Sequence, residues 1–455
     1  MNADQLDHVI RDVLHDWTPD KPAASTGVAD RILRRRRRRN TMRVAGAVLG
    51  IAGITIGTVL TTNGTGHEAA PSPASGMSTE SKLLWRTTLP TDSWDACTLG
   101  PGAVYCRGSA YDAIGLDVRN GKIDWQRKSG DPHGGSTPSG SLAGTRNGVL
   151  YTYADHSPGA DMAGTDLVAV DVESHKVLWR HKMADDSRDE FAAVRFDGGI
   201  LANTPTFKSV AALDDRTGRT LWTYKWKQAD CDPASIGGVP YLVCSPDSDK
   251  SPKPSSVVRL DPKTGEARTV ATVKGMTMHI GTDGDTVLLG GLAGGQKFFS
   301  DPGPATLTRV DTGSGKVTQH RVDGIPMGKV VDGRILPGGG DTAVARSAQD
   351  GRRMWSRDLG LTLREDLDAP MAKELTSDAA VDLGRRVAYY LDPTGHMVGV
   401  DLDSGAVRWR GAVELPKRPV RAGIAPELMV SGHSLVGQVD GQIFRIEPQL
   451  KEAGS

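Results

Sequence analysis

Four cysteines, eleven histidines and a scatter of carboxylates are the residues of this 455-residue chain that could do chemistry. The cysteines, Cys97, Cys106, Cys231 and Cys244, form two close pairs. Pro101-Gly102 lies inside the first pair and Gly237-Gly238 inside the second. Folding each stretch about a two-residue turn sets Cys97 against Cys106 and Cys231 against Cys244. Counting outward from the hydrogen-bonded closing pair, both land at non-hydrogen-bonded positions, where Cα atoms lie about 4.5 Å apart and a disulfide is within reach. Pro233 and Pro240 fall where that pairing uses no backbone N–H. Two disulfides are therefore expected, and with them an oxidising compartment. The other use of four cysteines, a metal site, would show CxxC or paired-histidine spacing, and neither is present. The histidines never take HxxxH spacing, and GxSxG, HExxH and phosphate-loop motifs are absent. Asp155-His156 and Asp131-Pro132-His133 stand alone and read as solvated pairs. No catalytic, cofactor-binding or metal-ligating set is expected.

The elements that would position any site are set by a repeat. Its clearest copy runs Ala212-Leu213-Asp214-Asp215-Arg216-Thr217-Gly218-Arg219-Thr220-Leu221-Trp222, with Gly four and Trp eight residues after the first Asp. The spacing recurs at Asp117, Gly121 and Trp125, and at Asp401, Gly405 and Trp409. It recurs at Asp171 and Trp179 with His175 in the glycine place. Asp261 and Gly265, then Asp311 and Gly315, keep the turn, but Thr269 and Gln319 replace Trp. Ser347, Gly351 and Trp355 lack only the Asp. That makes seven copies, 36 to 54 residues apart. An alternating strand precedes each Asp, whose side chain can bond the N–H groups two residues on and start a turn. Gly closes the turn in a left-handed conformation, and a second strand then carries the Trp as a flat surface for a neighbouring sheet. Upstream of each hairpin is room for two more strands, and four strands repeated radially make a β-propeller.

The chain ends set the blade count. Leu83-Leu84-Trp85-Arg86 reads as a Trp strand with no Asp strand before it. Ile443-Phe444-Arg445-Ile446-Glu447 reads as an Asp strand with no Trp strand after it. Joined, they complete an eighth blade and leave no open ring edge. The expected fold is all-β, an eight-bladed propeller over residues 81–450, with seven blades as the alternative. The pattern Ala-x-Asp-x-x-Thr-Gly-x-x-x-Trp resembles the tryptophan-docking motif of PQQ-like, or quinoprotein-dehydrogenase-like, propellers. Residues 212–222 match it well, and 401–409 and 170–179 match in part. The resemblance covers most of residues 83–447 and is specific for fold, because the motif is structural. It implies tryptophans that lock adjacent blades. The whole chain resembles bacterial membrane-anchored PQQ-like proteins. Dehydrogenases of that fold hold a quinone, a Ca²⁺ and a catalytic Asp, many with a vicinal disulfide. No Cys-Cys pair occurs here and no oxygen-ligand set for the metal can be assigned, so neither PQQ nor calcium is expected.

Ahead of the propeller, residues 44–60 read VAGAVLGIAGITIGTVL, and residues 42–62 bar Arg43 carry no charge, enough to cross a hydrocarbon layer as a helix. Arg31, Arg34 to Arg39 and Arg43 precede it, and no Lys or Arg lies in residues 63–80. That imbalance predicts a single-pass plasma-membrane protein with a cytoplasmic N-terminus and an extracellular propeller. A cleaved signal with sites near Ala70 or Ala74, and twin-arginine export, are the alternatives; each still sends the large domain out. Gly46, Gly50, Gly53 and Gly57 share one helix face, through which a transmembrane homodimer could form. In residues 1–41, Leu6, Val9, Ile10, Val13, Leu14 and Trp17 make an apolar stripe suited to a cytoplasmic protein partner. Charge divides along the same line. Residues 1–43 hold ten Lys and Arg against six Asp, and residues 62–455 hold 45 basic against 49 acidic side chains. The large domain thus has no general attraction for nucleic acid.

The function expected is that of a membrane-anchored binding or scaffold module for a protein, peptide or envelope ligand, the alternative being a divergent quinone-dependent dehydrogenase. Long connections at 126–144, 180–192 and 356–378 could build a rim over the central channel. The last contains Arg357, Arg364, Glu365, Asp366 and Lys373, a candidate binding rim whose plainer reading is a solvated charged surface.

Overall fold

A computed structural model describes residues 79–450 apart from 90–95, 129–143, 156–163, 185–192, 247–253, 293–304, 362–375, 417–425 and a few single or paired positions. The amphipathic segment Leu6 to Trp17, the arginine run, the apolar segment 42–62 with its glycines, and the linker 63–78 lie outside the described residues. Among the described residues no helix is long and apolar enough to cross a membrane.

The described strands form eight four-stranded antiparallel sheets. Seven are made from consecutive strands. Blade 1 comprises Ala96–Gly100, Ala103–Gly108, Tyr111–Asp117 and Ile123–Lys128. Blade 2 comprises Gly144–Arg146, Val149–Asp155, Thr165–Asp171 and Val177–Ala184. Blade 3 begins at Ala193–Phe196 and ends at Thr220–Lys225; blade 4 runs from Ala229–Ile236 to Ala267–Val273. Blade 5 runs from Thr277–Asp283 to Val317–Val322, blade 6 from Lys329–Val331 to Arg353–Asp358, and blade 7 from Ala380–Asp382 to Val407–Ala412. Blade 8 takes Glu427–Ser431, Ser434–Val439 and Gln442–Pro448 from the C-terminal end and Ser81–Thr88 from the other. Trp85 pairs with Arg445 and Ser81 with Pro448, so the first strand of the propeller closes against its last.

The core is divided into slabs between blades. Tyr151, Leu167, Ala169 and Trp179 of blade 2 share one cluster with Ile200, Ala202, Ala211 and Leu213 of blade 3. Tyr389 and Trp409 of blade 7 share another with Leu435 and Phe444 of blade 8. Because each sheet is covered on both faces, middle strands such as Val387–Leu391 are buried at every residue and do not alternate.

The repeat turn follows from local hydrogen bonding. In blade 3 the Asp214 Oδ1 accepts the N–H groups of Arg216 and Thr217 and the Thr217 hydroxyl. The Gly218 N–H donates to the Asp214 carbonyl, and Gly218 sits at φ +68°. The same turn is built at Asp261 and Gly265, Asp311 and Gly315, and Asp401 and Gly405.

These carboxylates make a pH prediction. The Asp117 carboxyl is held down at about 2, first by the Arg119 side chain and then by backbone N–H groups. Asp171, Asp214, Asp261 and Asp311 are all lowered by hydrogen bonds from their own turns. A carboxylate lowered on folding stabilises the protein above its unfolded value, and that contribution is lost as pH falls through the folded value. Asp112 runs the other way, raised by burial. Burial also lowers the His181 and His279 imidazoles, whose contribution is lost as pH falls below the ordinary histidine value, so the urea midpoint is expected to stay level from pH 8 to about 7 and to slip from there to about pH 5. With five turn carboxylates against one, it should then fall below about pH 4 and keep falling towards pH 2. A midpoint unchanged down to pH 2.5 would contradict this account.

Candidate binding surface

Alternation of strand direction gives the ring two unlike faces. First and second strands of each blade join at one face, as do third and fourth; no connection between the described strands there exceeds six residues. The other face carries the links from second to third strands and from each blade to the next. Every connection of eight residues or more leaves from this second face, including 129–143, 185–192, 293–304 and 359–379. The three stretches expected from the sequence to form a rim, 126–144, 180–192 and 356–378, start within fourth strands and run into these connections.

The strand ends on that face carry two buried carboxylates paired with partly exposed arginines between blades 1 and 2. Asp112, at the start of the third strand of blade 1, lies 3.5 Å from Arg127 of its own blade and 4.0 Å from Arg180 of blade 2. Arg180 also lies 3.6 Å from Asp166. Arg107 donates to the Tyr153 carbonyl, and the Thr152 hydroxyl donates to the Asp112 carbonyl. Burial raises the Asp112 carboxyl and lowers the neighbouring His181 imidazole, in each case opposing charge. The carboxylates of this cluster are committed to arginines, so its chemistry is that of a clamp between two blades. Nothing in the sequence spacing signals it, because its carboxylates and their arginines come from two hairpins, one in each blade, that meet only in the ring.

Of the expected rim, Arg357 is described, while Arg364, Glu365, Asp366 and Lys373 lie outside the described residues. The Arg357 Nε donates to the Gly405 carbonyl at 2.8 Å, which ties blade 6 to blade 7. The cysteines pair Cys97–Cys106 and Cys231–Cys244, each joining the first two strands of a blade with Cα atoms 4.1 and 4.0 Å apart. Loops of nine and thirteen residues are thereby closed, each worth about 3 kcal/mol on chain entropy. Cys231→Ala with Cys244→Ala is expected to lower unfolding free energy by about 2–3 kcal/mol, read from the urea midpoint under non-reducing conditions. No loss would show that the bond does not form in solution. Among the described residues no group of three or more His, Cys, Asp or Glu side chains could hold a metal ion.

The tryptophans join blades by one repeated contact. The Nε1 of Trp85 donates to the Val118 carbonyl of blade 1 at 2.8 Å. Trp179 reaches the Asp215 carbonyl of blade 3, Trp222 the Pro262 carbonyl of blade 4 and Trp355 the Leu402 carbonyl of blade 7. Each indole also lies on the next blade's turn glycine: Gly121, Gly218, Gly265 and Gly405 respectively. At His175 the imidazole takes the glycine's place and stacks on Trp125 at 4.9 Å. Two features escaped the spacing rule. Aromatics of the second strands, Tyr105, Tyr151 and Tyr389, and Phe196 of the first strand of blade 3, pack against Trp125, Trp179, Trp409 and Trp222 of their own blades. A small residue, Gly115, Ala169, Ala212, Ala345 or Gly399, lies opposite the Trp two positions before the repeat Asp or its Ser347 counterpart. That second signal was available in the sequence, where Arg259 and Arg309 hold the place in the two blades without Trp.

Similar structures support the architecture. BamB from Moraxella catarrhalis is 14% identical, with a TM-score of 0.51 over 81% of this chain and 100% of that one. Saccharomyces cerevisiae Sqt1 is 14% identical, with a TM-score of 0.53 over 82% and 100%. The computationally designed Ika8 protein is 9% identical, with a TM-score of 0.54 over 81% and 99%. At these identities the likeness is one of fold. No curated protein matches the chain in sequence. Residues 38–268 and 206–442 match the PQQ-repeat family described as outer membrane protein assembly factor BamB; these stretches span most of the chain, and it belongs to that family.

Proposed function

We propose that the protein is a membrane-anchored, extracytoplasmic scaffold whose loop-bearing face binds a protein or peptide of the cell envelope. The observation that carries this reading is the concentration of every long connection on one face of a closed ring. A rigid scaffold that presents variable connections on one side is the usual arrangement of a recognition surface. The family match to an outer membrane assembly factor supports a binding role. The arginine-flanked apolar segment supports the anchor, and the two disulfides support an oxidising location.

Photo-crosslinking in intact membranes tests the reading. With a crosslinker in the full chain at Ala372, in the 359–379 connection, discrete protein adducts are expected. At Gly102, in a tight turn of blade 1, none are expected. Equal labelling from both positions would remove the reading. So would a raised melting temperature and dye reduction on adding PQQ and Ca²⁺, which would establish the quinone-dependent enzyme instead.

A further inference from the structure

The lock between blades changes at one place and sets an arginine on the junction. In blades carrying Trp within a continuous hairpin, a β-bulge just before the turn brings the indole opposite the small residue, as between Ala212 and Leu213 in blade 3. The hairpin of blade 5 has regular register, with Thr308 opposite Gln319 and Arg309 opposite Thr318. Without the bulge, Gln319 turns to the other face of the sheet and donates to the Thr308 hydroxyl at 3.0 Å. The face that meets blade 6 presents Arg309, whose Nη1 makes a long contact, 3.4 Å, with the Gln349 carbonyl. Over the blade 6 turn glycine, Gly351, the indole's place is taken by Val322 and Leu307 of blade 5, so the apolar part of the junction is packed without Trp. Beside Arg309 a cleft of about 350 Å³, half open to solvent, is lined by Asp283, Arg309, Ser347, Gln349, Arg352 and Met354. The blade 4–blade 5 junction also lacks Trp, and there the turn glycine is covered by backbone: a Cβ on Gly315 would lie 2.7 Å from the Val270 carbonyl oxygen.

The lining has a direction. Asp283 belongs to the innermost strand of blade 5, and Arg352 adjoins the outermost strand of blade 6. Met354, on that outer strand, is 45% exposed. The Arg352 side chain is 81% exposed and only 3.8 Å from Asp350, a loose surface pair that a ligand carboxylate could displace. Against the one lining carboxylate, Asp283, two guanidinium groups beside an exposed thioether leave the cleft net positive and suit carboxylates next to an apolar side chain, since guanidinium forks take carboxylates in pairs of hydrogen bonds. The cleft is half open to solvent, a shape for a segment laid across it and not for an enclosed small ligand. The cleft opens on the tight-turn face, away from the long connections, so it is a second site and does not depend on the first.

We propose that the cleft between blades 5 and 6 is a docking site for an acidic, extended peptide segment of a partner protein, its carboxylates on Arg309 and Arg352 and its apolar side chain on Met354. The test uses the full-length protein in detergent and a fluorescein-labelled Glu-Glu-Leu-Glu-Glu peptide, followed by anisotropy. Saturable binding below about 1 mM is expected, roughly tenfold weaker in 0.5 M salt and absent for Gln-Gln-Leu-Gln-Gln. Arg309→Ala with Arg352→Ala should weaken it at least roughly tenfold. Arg352→Ala alone, at an exposed side chain, should weaken it measurably without touching the fold. Arg259→Ala, the same repeat position in blade 4, should leave it unchanged. No binding at 1 mM, or equal binding by the double variant, overturns the proposal. Crosslinks from the loop-bearing face that persist in the double variant would show that face still at work, so failure of the cleft and failure of the scaffold reading are told apart.

Discussion

Replacing Trp409 by alanine is expected to lower the unfolding free energy by about 3–5 kcal/mol, the largest loss among the docked indoles. Trp409 is fully buried, whereas Trp85, Trp179, Trp222 and Trp355 keep 7 or 8% exposure. Its Nε1 donates to the Glu80 carbonyl at 2.9 Å, and the Gln449 N–H donates to the same oxygen. One carbonyl thus joins blade 7, the first strand of the propeller and its last. Elsewhere the acceptor belongs to the turn of the next blade; in blade 8 that turn is replaced by the meeting of the two chain ends. Alanine would leave a cavity among Tyr389, Met397, Leu435 and Phe444 and free the residues that close the ring. Trp125 is half-buried and stacks on His175, so Trp125→Ala should cost less, about 1–3 kcal/mol. Urea unfolding followed by far-ultraviolet circular dichroism measures both. Trypsin should cut at Lys82 and Arg86 sooner in the Trp409 variant. Equal losses at the two positions would mean that ring closure has no special share in stability.

What could be read from the sequence divides by the range of the interactions. The turn at Asp214 is made by atoms within a few residues of one another, so its spacing repeats wherever the turn does. The eighth blade was legible for the same reason, since Leu83 to Arg86 and Ile443 to Glu447 are recognisable halves of one unit. The disulfides followed from counting along hairpins whose turns, Pro101-Gly102 and Gly237-Gly238, fix the register. The bulge beside each Trp could not be read, because register belongs to a pair of strands and a one-residue slip is invisible in either alone. That is why Gln319 looked like a simple loss of Trp, when blade 5 has in fact reversed the side of the sheet on which that residue lies. The Asp112, Arg127, Arg180 and Asp166 cluster joins two blades, and no local pattern brings its members together.

Gly265→Ala is expected to cost about 3–5 kcal/mol, while Gly102→Ala, at the same backbone angle, costs about 1–2 kcal/mol. Both glycines sit at φ +73°. A Cβ at Gly102 meets nothing within 4 Å, so its cost is the left-handed backbone strain alone. A Cβ at Gly265 would lie 2.6 Å from Cε3 and 2.7 Å from Cδ2 of Trp222, well inside contact distance. The ring cannot retreat while its Nε1 holds the Pro262 carbonyl at 2.9 Å and Phe196 packs against it at 6.3 Å between centroids. Relief must come by separating blade 3 from blade 4, which surrenders the docking energy as well as the strain. A double-mutant cycle isolates that part. In a Trp222→Ala background the obstruction is gone, and Gly265→Ala should cost only the backbone component, leaving a coupling of roughly 2 kcal/mol between the two sites. Additive costs would show that the turn glycine is required for its backbone alone. The coupling, if measured, says why this repeat keeps Gly and Trp together: one supplies the absence of a side chain that the other needs as its seat.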